Sequence, residues 1–139
     1  MRWQETLPAK LDLILERLNV QDRVKGELVA IKMHLGGNIG YSTVHPLFVR
    51  KIVDAVKKGG GRPFVTDTLW SVLSAHTRGY SQETLGCPLI PIAGTSDNYY
   101  TAMPEDYKNI KEWKVSGEIV DAPFLIDLAH AKGHPCCAM

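Results

Sequence analysis

The sequence predicts an α/β domain, a mostly parallel sheet built from βαβ units with flanking helices. Two observations predict it. Apolar stretches bounded by polar or glycine-rich breaks recur at Glu27–His34, Pro63–Asp67 and Phe124–His130, as in strands buried on both faces. Between the first two lies a strongly periodic helical segment, Pro46–Lys58, so that strand, helix and strand follow in the order of a crossover unit.

Taken in order, Leu7, Leu11, Ile14, Leu15 and Leu18 recur at helical spacing, which predicts a helix over Leu7–Leu18 with Pro8 in its first turn. Asn19–Gly26 is polar and reads as a connection. In Glu27–His34 an apolar run leads into Ile31 and Met33 alternating with Lys32 and His34; Gly36, Gly37 and Gly40 then break the strand. The Pro46–Lys58 helix draws its apolar face from Leu47, Val49, Ile52, Val53 and Val56, and Gly59-Gly60-Gly61 ends it. The crossover to Pro63–Asp67 is expected to be right-handed. Ser71–Arg78 reads as a helix stopped by Gly79, and Leu89–Ile92 as a strand that Pro91 confines to a sheet edge. Gly94–Pro104 reads as loop, with Tyr99 and Tyr100 as ligand-stacking rings or loop anchors. Asn109–Val115 reads as a weakly alternating strand, Ser116–Val120 as a helical turn, and Phe124–His130 as the last strand, apolar except for Asp127.

At 139 residues, 45% hydrophobic and 22% charged, the chain suits one globular domain with a real core. A net charge of +1 supplies no concentrated basic surface for a nucleic-acid backbone. Lys57-Lys58 reads as the dipole complement of a helix end. No apolar leader opens the chain, and no apolar run reaches the ~18–20 residues that cross a bilayer, so a cytoplasmic protein with no membrane or nucleic-acid partner is expected. Three cysteines, two of them adjacent, cannot build a disulfide framework. The chain stops a few residues past its last strand, although a parallel sheet needs both faces covered; it is read as an incomplete domain, or as one that oligomerises or docks on a partner.

In an open α/β sheet, ligands bind outside the carboxyl ends of the strands. Three predicted strands end in polar residues: Lys32-Met33-His34, Thr66-Asp67-Thr68 and His130-Ala131-Lys132-Gly133-His134. If these strands are parallel neighbours, the groups share one edge. His130, Lys132 and His134 are the candidate catalytic residues, able to bind a metal, move protons or hold a small anion; the bland reading is two histidines that finish a strand. His34, Asp67 and Thr68 are the candidate ligand-binding residues, against an Asp67 that merely closes a turn on its own backbone. Gly133 and the preceding strand put the two histidines on a loop, not on the helix of a zinc motif. Cys136-Cys137 lacks zinc or iron–sulfur spacing, and Cys87 reads as a small buried apolar residue. His76 reads as a surface or core histidine. The Gly36–Gly40 loop could cradle a phosphate, but it has neither dinucleotide-fold nor P-loop spacing.

The run Lys32-Met33-His34-Leu35-Gly36, then Gly40-Tyr41, Pro46, Val49-Arg50 and Phe64-Val65-Thr66-Asp67-Thr68, resembles the domain of unknown function 362 family. Asp121-Ala122 and His130-Ala131-Lys132-Gly133-His134 resemble the same family's closing strand and Lys-Gly-His element. The resemblance spans roughly Leu28 to His134. It implies an α/β domain of a kind often associated with iron–sulfur proteins, and its fold is distantly similar to the N-terminal domain of the nickel-dependent lactate racemases. It also implies that residues 1–139 are the N-terminal part of a longer family domain, with any iron–sulfur cluster in a module absent from this chain. Two positions depart from the family pattern. Gly37 stands where a glutamate is common, and Asp127 stands at a usually apolar strand position, as a site residue or a carboxylate facing solvent.

The expected function is a ligand-binding or catalytic α/β domain resembling iron–sulfur-associated redox proteins. The alternatives are a metal-assisted racemase or isomerase of a small hydroxy acid, and a non-enzymatic binding or assembly domain. A small anionic molecule is the expected partner; the metal and the cofactor stay open.

Overall fold

The structure, a computed structural model, describes residues 2–37, 42–103 and 109–133. His134, Cys136 and Cys137 lie outside the described residues, as does most of the Gly36–Gly40 loop.

In chain order the elements are α1 (Leu7–Arg17), α2 (Val20–Arg23), β1 (Leu28–Met33), α3 (Pro46–Lys58), β2 (Arg62–Asp67), α4 (Leu69–Ser74), α5 (Gln82–Leu85), β3 (Leu89–Pro91), β4 (Tyr99–Ala102), β5 (Trp113–Ser116), α6 (Gly117–Val120) and β6 (Phe124–Leu128). A tight 3-10 turn, Ala75–Arg78, follows α4. Four strands form one parallel sheet in the order β3-β2-β1-β6, and β4 and β5 form a separate antiparallel pair. The fold is α/β, with β1 and β2 in the middle and Pro91 on an edge strand, where its missing N–H costs no ladder bond.

Helix α3 ends where its chemistry dictates. Pro46 occupies the first turn, and the His45 ring accepts a hydrogen bond from Leu47 N at 3.1 Å through Nδ1. At the other end Gly60 takes a φ of +81°, and a side chain at Gly59 would collide with the backbone of Gln21. Val49, Ile52, Val53 and Val56 are buried against Val29, Ile31, Met33 and Val65 of the sheet, each worth about 2 kcal/mol of apolar transfer. Val20 and Val24 join this core from the segment read as a polar connection, where α2 forms.

The opposite face is thinly covered. Ala30 and Phe64 are buried there with Ala122, beside Leu28 and Ile90, while Leu125 on edge strand β6 is 48% exposed. The α1 stripe divides: Leu11 and Leu15 pack on the core, but Leu7, Ile14 and Leu18 face outward. The segment read as one helix over Ser71–Arg78 is instead α4 and the 3-10 turn. Within the stretch read as loop, Tyr99–Ala102 forms β4, so Tyr99 and Tyr100 are strand residues. All four residues of β4 are exposed, and they pair through the backbone with no apolar alternation to announce them. Among the described residues, no helix is long and apolar enough to cross a membrane.

Candidate functional site

Because β2, β1 and β6 are parallel neighbours, their carboxyl ends lie along one edge, and the groups that follow them meet there. Lys32 registers with Thr66 on one side and Asp127 on the other, so these three side chains share the thinly covered face. Asp127 is exposed, in keeping with the solvent-facing reading of its departure from the family pattern. Thr66 is fully buried and its Oγ1 has no hydrogen-bond partner among the described residues.

Asp67 organises the edge. It is 4% exposed, and its carboxylate accepts from Leu35 N at 2.7 Å, from Thr68 N at 2.9 Å and from Lys32 Nζ at 3.2 Å. The bond to Thr68 is the local turn closure that Asp67 could make alone; the other two tie β2 to β1 and to the residue that leaves it. Lys32 Nζ also donates to the Met33 carbonyl at 2.8 Å. Thr68 Oγ1 donates to Ser71 Oγ at 3.0 Å, fastening the start of α4.

The segment between β1 and α3 is braced at Leu35 and Gly36 and again at Ser42, Thr43 and Val44. Arg78 Nε donates to the Leu35 carbonyl at 3.0 Å and Nη2 to the Gly36 carbonyl at 3.2 Å, so both peptide groups of Leu35 are held. The buried Tyr80 sets its hydroxyl 2.5 Å from the Val44 carbonyl and 2.7 Å from Thr43 Oγ1. From β6, His130 Nδ1 lies 2.8 Å from the Ser42 carbonyl. A carbonyl only accepts, so Nδ1 carries the proton, and in the neutral ring Nε2 keeps its lone pair. His130, Lys132 and Gly133 are outside any helix, and His34, His130 and Lys132 are exposed. A cavity of about 320 Å³ opens at the same edge, lined by Gly36, Gly37, Trp70, Ser71 and Ser74.

Of the sequence-predicted residues, His34, Asp67, Thr68, His130 and Lys132 all follow or end adjacent strands at this edge, and His134 is outside the described residues. Arg78, Tyr80 and Trp70 were missed; Arg78 and Tyr80 reach the site through contacts across the fold that no local spacing encodes. His76 is exposed, with Nδ1 3.1 Å from the Leu73 carbonyl. Burial pushes the Cys87 thiol up to about 11, as suits an inert packing residue. Among the described residues no group of three or more His, Cys, Asp or Glu is placed to hold a metal ion, so the donor set described does not fit a zinc or iron–sulfur centre.

The family model described as "Domain of unknown function (DUF362)" matches residues 29–139. No curated protein and no solved structure matches the chain.

Proposed function

The chain belongs to the domain of unknown function 362 family, and from that premise we propose that it binds a small anionic molecule at the carboxyl edge of its sheet. The observation that supports this best is the bracing of the segment after β1. Asp67, Arg78 with Tyr80, and His130, from three parts of the chain, hold Leu35 and Gly36 on one side and Ser42, Thr43 and Val44 on the other, residues that would otherwise be costly to order. A loop held in advance loses less freedom when a ligand arrives, which is how preorganised sites gain affinity.

In this reading Asp67 is a positioning residue, because its oxygens are engaged by Lys32, Leu35 and Thr68. Lys132 supplies the charge that meets the anion. His130, with Nδ1 committed to Ser42, offers Nε2 as the proton acceptor. The redox role is the finer part of the proposal: the domain would hold a substrate, and a separate cluster-bearing module of the kind the family resemblance implies would supply the electrons. Its support is the family resemblance.

Calorimetric titration with inorganic phosphate and with lactate tests the binding. Saturable binding of at least one probe is expected, weakened about five-fold or more in Lys132→Ala, in line with loss of one charge-assisted contact. No saturable binding of either probe, or equal affinity in wild type and Lys132→Ala, would overturn the proposal.

A further inference from the structure

Three features of the cavity beside the braced segment point to more than a bare anion. Trp70, in the first turn of α4, lines it and is 78% exposed, an unusual position for the largest apolar side chain. Arg78 borders the same cavity: its Nη2 lies 3.2 Å from the Gly36 carbonyl, 3.3 Å from Ser74 Oγ and 3.5 Å from the Ser71 carbonyl, all on lining residues. These acceptors are neutral, and among the described residues no carboxylate pairs with Arg78, so its charge stands uncompensated beside the opening. Ser71 Oγ accepts from Thr68 and finds no acceptor for its own proton among the described residues.

Resting on the reading above, we propose that the anion taken at this edge is a mononucleotide, with its base stacked on Trp70 and its phosphate in the joint field of Arg78 and the Lys132 assigned to the anion above. Every base has a π-face, and an exposed indole gives it a flat apolar platform with little conformational loss. The Ser71 hydroxyl is free to donate to the sugar or the base edge. At about 320 Å³ the cavity lies at the lower end of the range for small-molecule sites, which suits one nucleotide and not a dinucleotide. Gly37 gives this opening its clearance: a Cβ added there would meet nothing within 4 Å.

The test is fluorescence and calorimetric titration with adenosine 5′-monophosphate, adenosine and ribose 5-phosphate. The monophosphate should bind tightest and quench Trp70 emission in a Trp3→Phe, Trp113→Phe background. Trp70→Ala should weaken it about ten-fold or more while leaving ribose 5-phosphate within about two-fold. Gly37→Val, whose side chain enters open space and so leaves folding intact, should abolish monophosphate binding. Equal weakening of both phosphates, or none, in Trp70→Ala would overturn the stacking. Binding of ribose 5-phosphate alone would overturn the nucleotide while leaving the small-anion reading standing. Failure of all three probes to bind, in a chain that still binds inorganic phosphate or lactate, has the same meaning; failure with those probes as well removes both readings.

Discussion

Residues 28–67 and residues 92–123 both connect parallel strands of one sheet, yet they are held by different physics. The first passage, β1–α3–β2, buries four apolar residues of α3 against three of β1 and Val65 of β2. The second leads from edge strand β3 to the opposite edge at β6, and includes a hairpin whose β4 residues are all exposed. Tyr100 donates to Asp121 at 2.8 Å and Gly117 N to the Asn98 carbonyl at 2.8 Å, so polar and backbone bonds do there what apolar burial does around α3. The difference teaches where the braced edge gets its rigidity: it stands on the first passage, and the second covers the opposite face of the sheet only thinly.

The contrast breaks most sharply under truncation. Ile52→Ala, at a site 2% exposed, should cost about 3 kcal/mol in urea denaturation, whereas Val115→Ala in the hairpin should stay within about 0.5 kcal/mol. Equal losses would show that the hairpin carries core energy after all. Asp67→Asn comes next. The amide keeps one acceptor but turns an NH2 group toward donors, so about 2 kcal/mol should be lost and the Leu35 amide should exchange faster with solvent. An unchanged Leu35 exchange rate would mean that Asp67 does not brace the edge. Smallest is a gain. Thr66→Val removes a fully buried hydroxyl that has no partner among the described residues, and should raise stability by about 1 kcal/mol. A loss on that substitution would show that the buried hydroxyl has a partner in solution.

The same contrast governs how much was legible in the sequence. The bounds of α3 read correctly because apolar spacing, Pro46 and Gly59-Gly60-Gly61 all point the same way. The parallel arrangement followed from strand–helix–strand order, and with it the shared edge for Asp67 and His130. Strand β4 was illegible because an exposed strand need not alternate. The α1 periodicity gave a stripe, but not which part of it meets the core: Leu11 and Leu15 do, while Leu7, Ile14 and Leu18 do not. Arg78 carried no signal, since its partners Leu35 and Gly36 lie about forty residues earlier and only the fold brings them together.

A second cavity, of about 300 Å³, separates the central claim from its rival. It lies between α1 and α3, lined by Asp12, Glu16, Lys51, Asp54 and Lys58 among others, and Lys51 there is already paired with Asp12 at 2.7 Å. Backbone amide NMR during titration with inorganic phosphate decides between the two places. If the carboxyl edge is the ligand site, the amides of Leu35, Gly36, Gly37 and Thr68 should shift together and saturate. Shifts centred on Lys51 and Lys58, with those four amides unmoved, would contradict it.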